Sequence, residues 1–312
     1  MNIRDATPED YPALARLMRF THAIPTTEQM LVEVEEKRNK EHPLLRKVVE
    51  KDGEIIAYCK SQRWEIPDPV RYIMAIAVEP EHRRQGLGAK LYDMTVEHAL
   101  SSGAKELWLQ TVEEDEVGEG FAKRRGYSHC FYLQDLTLNL EKVDLSPFED
   151  SVKAAEASGL RFASYADFED NDENCRKLYA LHQAVERDVP VFGNDAFLTY
   201  EEWVKRVKGG KYFEAGGQIF AMDGDKWVGI GAVGPYQQGA YFNLITGVLR
   251  DYRNRKLGMA LKVISTRYAM SKGAKMMRTQ NHGTNAPMRA INKKLGYEGL
   301  AGWNTWQKHI EK

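Results

Sequence analysis

The residues best suited to chemistry form one short run, Arg83-Arg84-Gln85-Gly86-Leu87-Gly88. It follows an apolar stretch, Tyr72 to Val78, and opens an amphipathic pattern carrying Leu87, Leu91, Met94, Thr95, His98 and Ala99 on one face. That order predicts strand, loop and helix. A loop opening a helix gathers unpaired backbone N–H groups at the positive end of the helix dipole, which suits an anionic phosphate. Gly86 and Gly88 remove Cβ atoms that would hold a pyrophosphate off the backbone. Arg83 and Arg84 add charged, forked donors. Two other phosphate loops fit less well. No Gly-Lys-Ser/Thr run is present, and position 91, where a dinucleotide fingerprint needs its third glycine, is Leu.

The elements that must hold this loop occur twice. Val78, Arg83, Gly88 and Leu91 return 170 residues later as Val248, Arg253, Gly258 and Leu261. So do Gly103-Ala104-Lys105 as Gly273-Ala274-Lys275, Gln110 as Gln280, and Gly126-Tyr127 as Gly296-Tyr297. No gap is needed over roughly fifty positions, so loop lengths repeat as well as residues. The expected organisation is an N-terminal domain over 1–144, a linker over 145–159 where periodicity is lost, and a C-terminal domain over 160–312. In the first domain Thr7-Pro8-Glu9-Asp10 caps a helix, and Thr26 to Arg38 reads as a second. Asp52-Gly53 turns a hairpin. Ala104 to Thr111 alternates as a strand, and Tyr127 to Leu140 supplies the last strands.

Arg83 to Gly88 matches the Arg/Gln-x-x-Gly-x-Gly/Ala motif of the GNAT N-acetyltransferases, which hold the pyrophosphate of acetyl-coenzyme A. Val78-Glu79-Pro80 and Arg124-Arg125-Gly126-Tyr127 resemble the same superfamily. The second copy does so through Thr246-Gly247-Val248, Arg253 to Gly258, Asn285 to Met288 and Asn292 to Tyr297. The resemblance covers nearly the whole chain as a tandem GNAT protein, a layout shared with mycothiol synthase and antibiotic self-resistance acetyltransferases. It implies an α/β fold of two GNAT domains, each a mixed, mostly antiparallel twisted sheet flanked by helices with a splayed central strand pair. It also implies acetyl-coenzyme A as co-substrate, no metal, and transfer of acetyl to a primary amine of a small or peptide-like compound. The cofactor residues carried over are Ile76, Ala77, Val78, Arg83, Arg84, Gln85, Gly86, Leu87, Gly88 and Ala89. Backbone groups of the first three are the natural oxyanion and pantetheine contacts.

Such a transfer requires a positioned thioester, a donor for its developing oxyanion, an amine that loses a proton and a thiolate that gains one. The tyrosine that many GNAT enzymes use as acid is replaced here by Ala122 and, in the second copy, Asn292. The glutamate some carry on the core strand is replaced by Tyr72 and Phe242. The remaining candidates are Glu65, Asp68 and Glu113 to Glu116 as bases, with Glu65 and Glu114 foremost, and Tyr72 or Tyr132 as acid. Carboxylates of this kind are usually solvated, and a strand tyrosine is usually core. His22, His129 and His282 are discounted in the same way. A positional mechanism with a water relay fits best.

A formal charge of −1 over 312 residues gives no basic field for nucleic acid. The three cysteines, Cys59, Cys130 and Cys175, are too widely spaced for a zinc site and read as reduced thiols. With no apolar leader and no membrane span, a cytoplasmic monomer or homodimer is expected. Lys256 stands where the first copy has Gly86, so acetyl-coenzyme A is expected in the first domain and a degenerate loop in the second. The acidic stretch from Glu113 to Glu119 would suit a cationic acceptor such as a polyamine-containing antibiotic. Two further readings are a coenzyme A-binding regulatory protein and a protein lysine acetyltransferase.

Overall fold

The computed structural model describes residues 1–312 except 23–25, 39, 65–68, 190–196, 237–238 and 311–312. The first repeat contributes β1 (Asn2–Asp5), α1 (Tyr11–Met18), α2 (Glu28–Lys37), β2 (Leu44–Lys51), β3 (Glu54–Arg63), β4 (Arg71–Val78), α3 (Leu87–Ser101), β5 (Glu106–Val112), α4 (Glu116–Arg124) and β6 (Ser128–Asn139). The second begins with α5 (Glu149–Ala157), β7 (Leu160–Ser164), α6 (Asp172–Glu186) and α7 (Tyr200–Trp203). It continues with β8 (Gln218–Asp223), β9 (Lys226–Pro235), β10 (Ala240–Val248), α8 (Leu257–Ser271), β11 (Met276–His282), α9 (Ala286–Lys294) and β12 (Glu298–His309). The repeat in sequence is a repeat in structure. α3 and α8, β5 and β11, α4 and α9, and β6 and β12 begin and end 170 positions apart.

By internal contacts the chain divides into two units, Met1–Gln134 with Leu300–Lys312, and Asp135–Gly299. These bounds differ from the expected 1–144 and 160–312. β12, the last strand of the second repeat, belongs to the first unit, where Trp303–His309 pair antiparallel with Val112–Glu106 of β5. An alternating strand pattern tells which face is buried and not which sheet the strand enters. The expected linker over 145–159 is also more ordered than its composition suggests. α5 buries Ser151, Val152 and Ala155 and packs on α8.

In the first unit the strands follow the order β1-β2-β3-β4-β5-β12-β6. β2 and β3 are joined at Asp52 and Gly53, both with positive φ as a tight hairpin turn requires. Successive side chains of each strand face opposite sides, so helices cover both. α1 turns Leu14, Leu17 and Met18 onto Val48, Tyr58, Ala75 and Ala77. α3 turns Leu87 and Leu91 onto Val49, Ala57 and Cys59, and Tyr92 and Ala99 onto Tyr72, Met74 and Leu107. Apolar positions at three- and four-residue spacing make that helix stable only against the sheet. In the second unit the order is β6-β11-β10-β9-β8-β7. No helix among the described residues is long and apolar enough to cross a membrane.

One pairing matters for the site. β4 and β5 run parallel and hydrogen-bond only from Arg71 to Met74 against Glu106 to Leu109. Ala75 to Val78 stay paired with β3 alone, through Lys60 to Ala57. Leu109 to Val112 stay paired with β12 on their far side. A wedge therefore opens between two central strands, leaving one backbone edge of each unpaired.

Candidate active site

The wedge leads into a cavity of about 440 Å³ in the first unit. Ile76, Ala77 and Val78 line one side, and Leu109, Gln110 and Thr111 the other. Its far end is the glycine loop, with Arg83, Arg84, Gly86, Gly88 and Ala89, and Val117, Gly118, Phe121, Arg124 and Arg125 close it from α4. Four guanidinium groups thus surround one end of a largely apolar slot. Among the described residues Asp115 is the one carboxylate in the lining, and it is occupied in capping α4, where it accepts from the Gly118 N–H at 3.0 Å.

The loop geometry has local causes. A short turn, Pro80–His82, ends at Arg83, whose Nε donates to the Val78 carbonyl at 2.9 Å and whose guanidinium lies 5.0 Å from the Phe20 ring centroid. Arg84 and Gly86 both take left-handed backbones, φ +63° and +83°. Gly86 is the residue before α3, so the chain arrives with the first-turn N–H groups of α3 facing the cavity end. A Cβ on Gly86 would meet nothing within 4 Å, and one on Gly88 would rest 3.5 Å from Phe121. The backbone angle, more than lack of room, is what favours glycine at 86.

Eight of the ten expected cofactor residues line this cavity. Gln85 does not: it is exposed, and its side chain turns back to the Glu81 carbonyl at 3.4 Å. Leu87 is core, packed on Leu91 and Cys59. Sequence reading missed Phe20 and Thr21, which reach the cavity from the end of α1, and left Arg124 and Arg125 as mere family markers. Arg125 sits 3.6 Å from the Phe121 ring centroid and 4.7 Å from that of Tyr92, so its orientation is held by stacking.

The expected acid and base residues fare differently. Glu65 and Asp68 lie outside the described residues. Tyr72 is buried at 1 % exposure in the core below α3, edge-on to His98, and touches no part of the cavity. It sits where β4 and β5 are still paired, so no gap exists for a substrate there. Glu114 is exposed in the turn after β5 with φ +63° and does not line the cavity. Glu113 accepts from Tyr132 Oη at 2.7 Å and from the Gly302 N–H at 3.0 Å, so both belong to the strand edge. Ala122 is fully buried against Tyr127 and Trp306. Thr111 accepts from Trp306 Nε1 at 3.0 Å. Neither Tyr72 nor Glu114 is placed to transfer a proton.

The second unit repeats the loop. Arg253 Nε donates to the Val248 carbonyl at 3.0 Å, and Asn254 and Lys256 take left-handed φ of +64° and +59°. Its cavity, about 850 Å³, is lined by Thr246 to Val248, Arg253, Asn254, Lys256 to Met259 and Asn285 among others. The Lys therefore does not block the loop, although Asp188 engages Arg253 as an ion pair. Asn285 caps α9 at the Met288 N–H, as Asp115 caps α4. Asn281 and Asn292 are buried and hydrogen-bonded to each other at 2.8 Å. Among the described residues no group of His, Cys, Asp or Glu is disposed to hold a metal.

Residues 9–127 match the model of the acetyltransferase (GNAT) family. A Bacillus subtilis (strain 168) protein assigned as a ribosomal protein bS18-alanine N-acetyltransferase is 34% identical over 79 residues, 25% of this chain and 50% of that one. The chain thus spans about half the length of that curated relative. A GCN5-related N-acetyltransferase from Sphaerobacter thermophilus superposes with a TM-score of 0.75 at 17% identity, covering 100% of this chain and 96% of the other. A tandem GNAT protein from the clavulanic acid biosynthesis pathway gives 0.70 at 19%, covering 100% and 99%. Likeness at these identities is one of fold. Residues 9–127 are accordingly a GNAT acetyltransferase domain, set in a chain that has the tandem GNAT fold throughout.

Proposed function

We propose that this protein is an acetyl-coenzyme A-dependent N-acetyltransferase whose first unit holds the cofactor and carries the reaction. The observation that supports it most is the single cavity joining the wedge between β4 and β5 to the glycine loop. Arg83, Arg84, Arg124 and Arg125 with the first turn of α3 form a seat for a pyrophosphate. The unpaired edge of Ile76 to Val78 can hydrogen-bond an extended amide chain as a further strand would. Acetyl-coenzyme A, when bound, supplies the activated thioester carbonyl. The open backbone N–H groups of β4 are the available donors for its oxygen as charge develops. With Ala122 in place of an acid, the chain's own contribution is positioning and backbone polarisation.

The acceptor in this reading is a primary amine of a small or peptide-like molecule, meeting the cofactor in a ternary complex. Calorimetric titration of the full chain with acetyl-coenzyme A tests the cofactor assignment. One tight site lost in Arg83→Ala/Arg84→Ala is expected, whereas two sites of similar affinity would overturn the assignment to the first unit alone. Thiol release with an amine panel tests the activity, and binding without release to any amine would favour a regulatory role. A second reading, acetylation of a protein amino terminus, draws on the bS18-alanine relative. Peptides with free amino termini belong in the panel for that reason.

A further inference from the structure

A second cavity, about 160 Å³, lies in the first unit between α1, α2 and strands β2 and β3. Leu14, Met18, Met30, Leu31 and Val34 make most of its wall, and its polar groups are His22, Arg46, Tyr58 and Lys60, with Thr26. One side chain joins it to the cofactor cavity. Thr21 lines the cofactor cavity, and its hydroxyl bonds His22 Nδ1 at 2.9 Å and Tyr58 Oη at 2.7 Å, both of which line the second cavity. Tyr58 and Lys60 also sit opposite Ala77 and Ala75 of β4 in the sheet register. The second cavity therefore lies beside the wedge, with Thr21 on the wall between the two.

Among the described residues its charge is one-sided. Arg46 stands 3.5 Å from Glu35, whose other oxygen is taken by Arg38 at 3.0 Å. Lys60 is partly buried, beside Arg46 and His22, and burial together with Arg46 lowers its ammonium to about 8. The same burial and the Lys60 charge push His22 down to about 4, so it stays neutral near pH 7. A cationic pocket with one shared carboxylate is poorly arranged for a cationic acceptor, and an anion would relieve it. Within the acidic stretch expected to attract cations, Glu113 is bonded to Tyr132 and Gly302, Asp115 caps α4, and Glu119 pairs with Lys123 at 3.1 Å, while Glu114 and Glu116 are exposed.

Resting on the proposed acetyl transfer in this unit, we propose that the second cavity is the acceptor's subsite and selects a carboxylate. The acceptor is then an amino acid or a short compound of that kind, with its carboxylate on Lys60 and Arg46 and an apolar group against Met18, Met30 and Leu31. Its amine points past Thr21 toward the thioester. The amine nitrogen forms the new bond to the acetyl carbon, the thiolate leaves, and the proton lost from nitrogen passes to solvent or to the departing sulfur. Thr21 and His22 are positioning residues in this scheme.

The test uses the full chain with acetyl-coenzyme A, the common apolar amino acids and their carboxamides, following thiol release and, separately, calorimetric binding of the cofactor. At least one free acid is expected to react with kcat/KM about tenfold or more above its amide, the size expected for a charge-assisted hydrogen bond. Lys60→Met should remove that preference through KM, and Lys60→Arg should restore most of it, with cofactor binding retained in both. Amides reacting as well as acids, or no acid reacting in a chain that binds acetyl-coenzyme A and acetylates other amines, would overturn the subsite. Failure to bind acetyl-coenzyme A at all would instead overturn the function on which it rests, and the subsite with it.

Discussion

Gly86 and Lys256 occupy the same place in two loops and the same left-handed backbone, with φ of +83° and +59°. Each is the residue before a fifteen-residue helix, α3 or α8, and each follows another left-handed residue two positions back, Arg84 or Asn254. A lysine in that conformation carries a strain of about 1–2 kcal/mol that glycine escapes. The second loop keeps its shape because the flanking turn and helix are over-determined by packing.

Gly86→Lys should therefore fold and lose about 1 kcal/mol of stability. Its added Cβ faces open space, so the loop itself should not collapse. Acetyl-coenzyme A affinity should fall by about 1–3 kcal/mol, because the new side chain and strained angle disturb the N–H groups that seat phosphate. Lys256→Gly should leave turnover near normal. Titration calorimetry and thiol release on both variants check this, and the reverse pattern would place the working site in the second unit.

No single tyrosine should be essential. Tyr72 is core, Tyr132 is tied to Glu113, and Tyr127 is buried with its hydroxyl 3.3 Å from that of Tyr92. Burial and the Tyr92 contact raise the Tyr127 phenol well above its ordinary value, so it is a poor acid at neutral pH. Changing each to Phe should lower kcat by less than about tenfold. A free alkylamine is mostly protonated at pH 7, so the rate should climb with pH until the acceptor amine is neutral. Thiol release across pH 6–9 reads both, and a drop of about a thousandfold in one variant would reveal a dedicated acid.

The glycine loop was legible because its function depends on backbone angle and charge, which Arg83, Arg84 and Gly86 display directly. The repeat was legible because its spacing never changes. The residues that close the cavity were not. Phe20 and Thr21 follow an ordinary helix, and nothing local shows that the chain bends back to β4. Tyr72 and Glu114 misled for a related reason: their chemistry suits the reaction, but burial and exposure are decided by distant neighbours. The destination of β12 was beyond reach, since a strand's pattern names its buried face and leaves its sheet open.

That strand makes Trp306 part of the first unit although it lies in the second repeat. It is 4 % exposed, stacks edge-on to His129 at 5.3 Å, and donates to Thr111, which lines the cofactor cavity. Trp306→Ala should destabilise the first unit by about 3–5 kcal/mol. Trp306→Phe keeps most of the packing and frees the Thr111 hydroxyl, so it should cost about 1 kcal/mol and disturb cofactor binding more than folding. Thermal unfolding with and without acetyl-coenzyme A separates the two effects. A silent Trp306→Ala would mean that β5 does not depend on β12.

Lys262 offers a last test, in the second unit. It is 1 % exposed on α8, donates to Asn243 Oδ1, and lies 5.1 Å from the Tyr297 ring centroid. Burial lowers its ammonium to about 7. An unfolded lysine titrates near 10.4. Between those values the unfolded chain holds a proton that the folded one has lost, so this group makes stability rise as pH increases from about 7 to 10. Below about 7 both states are protonated and the full cost of burying the charge remains. Lys262→Met should therefore stabilise the second unit at pH 6 by about 1–4 kcal/mol, a gain that shrinks toward pH 10. Asn243 is not orphaned by the change, because Thr246 Oγ1 still donates to it at 3.1 Å. Urea unfolding at several pH values measures this, and a gain that does not vary with pH would show that Lys262 keeps an ordinary ammonium in the folded chain.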